Sequence, residues 1–128
     1  MNPMTHITHD DGVTRSYSQA TIHRGVVYPC GQIPTQADGS TPEGIRQQTL
    51  VCLDNLEATL LRCGSSLGNV LQTTVFLAHQ EDFATYDEAW RSRFAELALP
   101  PRTTLFVAGF RGTKRIELSA IAAIDKES

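Results

Sequence analysis

The sequence predicts an α+β fold: one mixed β-sheet with two helices on one face. Three observations predict it. Two stretches carry apolar residues at steps of three and four, one through Ile45, Thr49, Leu53, Leu56 and Leu60, the other through Phe83, Tyr86, Trp90, Phe94 and Leu97. A β-branched run at residues 70–78 separates them. Strand-like runs lie before the first helix and after the second. The resulting order is strand, strand, helix, strand, helix, strand, strand, which segregates helices to one side of a sheet.

Residues 1–12 are polar and are expected either to fray or to add an edge strand around residues 5–8. Residues 16–22 and 26–31 read as a hairpin, with His23-Arg24-Gly25 as the turn because glycine tolerates the backbone of a tight reversal. Residues 32–40 contain Pro34 and Gly39 and form a loop. Thr41-Pro42-Glu43 reads as a helix start: a capping hydroxyl, a proline at the first helical position, and an acid at the positive end of the dipole. Gly64 stops that helix after Cys63. The second helix begins near Glu81-Asp82 and is ended by Pro100-Pro101. Strands at residues 102–108 and 114–124 close the chain, joined by a glycine-containing turn.

Composition narrows the function. A chain of 128 residues suits a single domain, residues 1–128, large enough to bury a core without disulfides or a structural metal. Its three cysteines form no CxxC pair, and Cys52 and Cys63 sit in or at the end of the first helix as packing residues. No apolar run approaches a membrane span and the first residues lack an apolar signal core, so a cytoplasmic protein with free thiols is expected. The net charge of −3 argues against nucleic acid as a partner. His6-x-x-His9-Asp10 has the residue types of a metal site, but near a polar terminus it reads as solvated, and no metal is expected.

The last strand says more. Ile116, Leu118, Ala120, Ala122 and Ile124 share one face; Glu117, Ser119, Ile121 and Ala123 share the other. The neighbouring strand is expected to add Phe106 and Ala108 to the second face. Helices cover only one face, so the second asks for another copy of the chain. Glu117 stands out there, because burying a carboxylate is unfavourable unless it is paired or used. An ion pair with Arg102 or Lys114 is its structural reading, and general acid–base work its functional one. Arg102 opens a strand after two prolines, and its planar fork suits a carboxylate.

Seven segments occur in order between Ser16 and Ala123: Tyr17-Ser18-Gln19-Ala20, Gly31-Gln32-Ile33-Pro34, Leu53-Asp54-Asn55-Leu56, Thr74-Val75-Phe76-Leu77, Asp82-Phe83-Ala84-Thr85, Pro101-Arg102-Thr103 and Ile116-Glu117-Leu118-Ser119-Ala120-Ile121-Ala122. Together they resemble the RidA (YjgF, reactive intermediate deaminase) family. The resemblance implies a chorismate-mutase-like fold and a homotrimer with clefts between subunits. It also implies hydrolysis of 2-imino and enamine acids to keto acids and ammonia, with no cofactor. In that pattern Arg102 binds the substrate carboxylate, Glu117 and the Thr104 carbonyl handle the attacking water, and Tyr17, Cys30, Gly31 and Asp87 line the cleft.

Two positions depart from the family's pattern. Its deaminases usually carry Ser where Cys30 stands and Asn where Asp87 stands. Cys30 keeps the size and weakens the hydrogen bonding. Asp87 either is an exposed helix residue, or places a negative charge near an anionic substrate, or pairs with Arg102 and competes for it. The segment between Phe94 and Pro100 is also short for the family, which would reshape the cleft rim. Three functions are therefore carried forward: the deaminase, a non-catalytic protein that binds small carboxylic acids, and a ribonuclease, which the acidic balance makes least attractive.

Overall fold

The computed structural model describes residues 3–125. It contains β1 (Thr5–Ile7), β2 (Ala20–His23), β3 (Val26–Pro29), α1 (Ile45–Arg62), β4 (Val70–Leu77), α2 (Phe83–Arg93), β5 (Arg102–Phe106) and β6 (Ile116–Ala123). The strands form one sheet in the order β1-β2-β3-β6-β4-β5. Only β4 and β5 run parallel; every other pairing is antiparallel. Both helices pack on one face, as the periodicity predicts. No helix among the described residues is long and apolar enough to cross a membrane.

The core lies between that face and the helices. Leu53, Leu56 and Leu60 of α1 meet Leu118 and Ala122 of β6 and Val75 and Leu77 of β4, all without solvent exposure. Burying each such aliphatic side chain contributes about 1.5–3 kcal/mol. Cys52 and Cys63 are buried among them as packing residues. The alternation read from β6 holds: Ile116, Leu118, Ala120 and Ala122 are buried, while Glu117, Ser119, Ile121 and Ala123 are partly exposed on the open face.

Several boundaries differ from expectation. The amino-terminal segment is not one of them: of the two expected outcomes it takes the edge strand, β1, pairing Thr5 with Ile22. The hairpin turn has two residues, not three: His23 pairs with Val26, and Arg24 and Gly25 both take positive φ, 53° and 76°. That backbone matches the right-handed twist of the flanking strands. Tyr17 lies in a bend before β2 rather than in the strand. Helix α1 starts at Ile45 behind Gly44, whose φ of 81° is not helical, so Thr41-Pro42-Glu43 lies outside the helix, with a bend at Glu43–Gly44, and Thr41 does not cap. The Gln48 amide pins that bend by donating to the Pro42 and Thr113 carbonyls. Helix α2 ends at Arg93, and Phe94 begins a turn.

Strand β5 stops at Phe106 rather than residue 108, since Gly109 and Gly112 at positive φ turn the chain away. Strand β6 begins at Ile116 because the Arg115 N–H is taken by Gln48 Oε1, and its guanidinium by the buried Asp82. The neighbour of β6 is β4, not β5. The register pairs Phe76 with both Glu117 and Leu105, so Leu105, not Phe106, shares the open face. Phe106 falls on the helix side, and Ala108 lies outside the strand. The open face is mixed: Phe76, Ile121 and Leu105 are its apolar residues on three adjacent strands, beside Thr74, Thr103, Ser119 and Glu117.

Candidate functional site

Three of the predicted site residues gather where β3 runs out, and Tyr17 lies close by. The Cys30 N–H donates to the Gln19 carbonyl at 2.8 Å. Two residues on, Gln32 and Leu118 exchange backbone hydrogen bonds of 2.7 and 3.0 Å. This bridge lays Gly31 against Glu117 of β6. A Cβ at Gly31 would overlap Glu117 Oε2, so only glycine leaves the carboxylate where it is. Glu117 makes no side-chain hydrogen bond or ion pair among the described residues, and burial raises its pKa above the ordinary glutamate value. The expected structural pair with Arg102 or Lys114 does not form.

Cys30 is half-buried beside this carboxylate. Burial raises its thiol pKa; Arg15 pulls the other way and Glu117 adds to the rise. Its Sγ lies 4.0 Å from His9 Nε2. The His9 ring meets the Tyr17 ring edge-on, with centroids 5.3 Å apart, and Tyr17 is 57% exposed. Burial, then Arg15, lowers the His9 pKa, favouring the neutral ring. Arg15 is itself held by both oxygens of Asp11, at 2.9 and 2.7 Å. His9, Arg15 and Tyr17 line an open cavity of about 590 Å³, together with neighbours from residues 8–18; Cys30 and Glu117 are not part of its wall.

The second group lies on the helix side, where α2 meets β5. Arg102 stacks its guanidinium over Tyr86 at 4.9 Å and Trp90 at 5.2 Å from the ring centroids, with Phe83 at 5.8 Å. Facing π-surfaces favour the cation and orient its plane. Asp87 Oδ1 accepts from Arg102 Nη2 at 2.8 Å, and Asp87 Oδ2 accepts from Arg91 Nε at 3.1 Å. The Arg102 hydrogen bond, with Arg91 adding to it, holds the Asp87 carboxyl below its ordinary pKa. Thr104 Oγ1 is 2.7 Å from the Tyr86 hydroxyl, and burial raises the pKa of that phenol. Asp87, Trp90, Arg91, Leu99, Pro100 and Arg102 line an open cavity of about 210 Å³.

Register separates the two groups. Arg102 lies opposite Thr73 and Glu117 opposite Phe76, three residues away along β4 and hence on the other face. One group offers a carboxylate, a phenol and a thiol; the other offers a guanidinium aimed by aromatic rings. Within one chain they do not meet.

A family model described as endoribonuclease L-PSP matches residues 9–124. The chain belongs to that family. Among its relatives, the 2-iminobutanoate/2-iminopropanoate deaminase of Rattus norvegicus is 35% identical over 109 residues, covering 84% of this chain and 79% of that protein. TdcF of Escherichia coli is 31% identical over 114 residues, covering 87% and 88%. The crystal structure of TdcF with bound serine covers 94% of this chain and all of that one, with a TM-score of 0.87 and 28% identity. The Escherichia coli YjgF gene product superposes with a TM-score of 0.81 and 29% identity over 92% of this chain and 93% of that one. The RidA/YjgF resemblance of the seven segments is thus the right family, and the chorismate-mutase-like α+β architecture it implied is the one found.

Several residues near the predicted ones carry little or no signal in the sequence. His9, which the sequence pairs with His6 in a solvated terminal stretch, faces Tyr17 and Cys30, while His6 Nδ1 lies 2.9 Å from Thr21 Oγ1. Tyr86 and Trp90 enter the sequence reading only through their helical spacing. They are buried and also cradle Arg102. Arg91 carried one available signal, its position four residues after Asp87 on a helix.

Proposed function

We propose that this chain hydrolyses reactive 2-imino and enamine acids to 2-keto acids and ammonia, at clefts between the subunits of a homotrimer. The observation that carries this reading is the division of the two groups between opposite faces of the sheet. A substrate that needs both Arg102 and Glu117 requires a second copy, and Phe76, Leu105 and Ile121 on the open face give a second copy apolar surface to bury. The deaminase name of the rat relative supports the same chemistry.

In this mechanism Arg102 of one subunit takes the substrate carboxylate through its fork, its plane set by Tyr86 and Trp90. Glu117 of the other subunit, with the Thr104 carbonyl, holds a water against the imine carbon. β5 is a sheet edge, which leaves one side of its backbone free for such a contact. Glu117 removes a proton as the water oxygen adds to the carbon. It gives that proton to the imine nitrogen, which forms the 2-amino-2-hydroxy acid; it then takes the hydroxyl proton and passes it to the amino group, and the carbon–nitrogen bond breaks as the carbonyl forms, releasing ammonia and the keto acid. Partial burial raises the Glu117 pKa toward the working pH, which suits proton shuttling. The substrate is already electrophilic, so positioning and one proton relay suffice. No metal or cofactor takes part, no nucleic acid or membrane is a partner, and the setting is the cytoplasm.

The test generates an imino acid in situ with an amino-acid oxidase and follows ammonia release. The reading predicts acceleration by the parent chain and its loss in Arg102→Ala. Equal rates with and without the parent, or with the variant, refute it. The Asp87–Arg102 ion pair favours a second reading, a binder of small carboxylic acids without turnover. Thermal stabilisation by 2-oxobutanoate with no acceleration of hydrolysis would select it.

A further inference from the structure

Arg102 is already occupied. Asp87 holds it at 2.8 Å, and both side chains are largely shielded, at 20% and 23% exposure. A ligand carboxylate seeking the Arg102 fork meets a carboxylate that is part of the chain. Asp87 has a second partner, however: Arg91 Nε lies 3.1 Å from its other oxygen, on the solvent side of the same helix face, with Arg91 72% exposed. The cavity of about 210 Å³ opens between the two arginines, walled by Trp90, Leu99 and Pro100.

We infer that Asp87 is an internal competitor for the Arg102 carboxylate clamp and that Arg91 receives it when a ligand binds, so that the pair sets which acids the clamp accepts. The inference rests on the proposed role of Arg102 and adds two specificity-determining residues to it. With the site empty, Asp87 neutralises Arg102, which is pinned by aromatic rings and has little room to seek another partner. When a monocarboxylate arrives, Asp87 swings toward Arg91 without losing its countercharge. Three groups of charge +1, −1 and +1 leave one net positive charge for the ligand. A monoanion is balanced by it. A second carboxylate near the clamp meets Asp87 with no cation left, so dicarboxylates are disfavoured. A protonated imine nitrogen beside the substrate carboxylate is attracted by the same Asp87.

The two arginines therefore have distinct parts. Arg102 binds the ligand; Arg91 lowers the free energy of moving Asp87 aside. If so, Arg91 matters only while residue 87 is charged. A merely structural ion pair that steadies α2 would make no such distinction, and asparagine at position 87 can still accept from Arg102 Nη2 and keep the helix in place.

The experiment measures 2-oxobutanoate and 2-oxoglutarate affinity by calorimetry on the full chain and on Asp87→Asn, Arg91→Gln and the double variant, with imine turnover recorded separately. Asp87→Asn is expected to tighten 2-oxobutanoate by about tenfold and to tighten 2-oxoglutarate more. Arg91→Gln is expected to weaken 2-oxobutanoate by roughly three- to tenfold in the parent and by less than about twofold in Asp87→Asn. Equal effects of Arg91→Gln in both backgrounds, or no tightening by Asp87→Asn, overturn the inference. So does a chain in which neither parent nor Asp87→Asn binds either acid, an outcome that also removes the Arg102 clamp. The predicted coupling without imine turnover would leave the competitor standing and remove the deaminase.

Discussion

Glu117 and Arg102 lie on opposite faces of one sheet, Glu117 across from Phe76 and Arg102 across from Thr73. Three residues along a strand reverse the side from which a side chain projects. The glutamate therefore looks out over the uncovered face, while the arginine looks into the aromatic lining of α2. Two groups that one reaction would use are kept apart by the chain that carries both, and a site built from them belongs to no single chain.

This arrangement predicts complementation between dead variants. Arg102→Ala and Glu117→Gln should each lose nearly all hydrolysis as pure proteins. Unfolded together in equal amounts and refolded, they form mixed assemblies. A site drawing Arg102 from one subunit and Glu117 from the next is intact in about a quarter of random pairings. Recovery of roughly that fraction of parent activity is expected. Activity no higher than that of the separate variants would mean that the two residues do not share a site across an interface.

Gly31 should be intolerant of any side chain, for a local reason. Its α-carbon faces Glu117 Oε2 so closely that a methyl group overlaps the oxygen. Gly31→Ala is expected to push the carboxylate out of line and lower kcat/KM by about tenfold or more, since misplacement of a reacting group by an ångström has effects of that size. In a Glu117→Gln background the same change should have much less effect, because there is no working carboxylate to displace. Equal losses in the two backgrounds would place the role of Gly31 elsewhere.

Much of this was legible in the sequence. The alternation of Ile116 to Ala123 gave both faces of β6, and helical spacing gave α1 and α2. What could not be read was parity across strands. The sequence alone does not say that β4 lies between β6 and β5, nor that Phe76 meets Leu105. One residue of register moves Phe106 from the open face to the helix side, and with it moves Arg102 away from Glu117. The start of α1 was misread because Gly44, not Thr41, sets the turn into the helix, and the Gln48 amide that secures the bend comes from a full turn inside it. His9 was missed because its partners, Tyr17 and Cys30, come from loops that only the folded chain brings together.

Stability should depend on the Asp82–Arg115 pair more than on any surface ion pair. Asp82 is buried, and both its oxygens accept from Arg115 at 2.9 Å. The pair ties the entry of α2 to the start of β6. Asp82→Ala removes a buried carboxylate and both hydrogen bonds it accepts from the partly exposed Arg115, and is expected to lower stability by about 1–3 kcal/mol. Arg46→Ala, which removes an exposed pair with Glu88, should change it by less than about 1 kcal/mol. Chemical denaturation of the two variants checks the contrast, and a similar loss in both would contradict it.

Glu117 carries the opposite balance of function and stability. Burial raises its pKa, so folding favours the protonated acid over the carboxylate. The sign follows from linkage: the folded chain holds its proton more tightly than the unfolded chain, so this group destabilises the fold as pH rises from the ordinary glutamate value through the raised one. Glu117→Gln removes the carboxylate and keeps the shape. It should raise Tm at neutral pH, and the gain should vanish below about pH 4, where parent and variant are both uncharged. Hydrolysis should move the other way. Loss of the proton relay is expected to lower kcat by about a hundredfold or more, and the parent's rate should climb with pH through the same raised pKa as the base form fills. A variant that is less stable than the parent at pH 7, or a parent rate that is flat from pH 4 to 7, would show that Glu117 is held by partners and is not a waiting base.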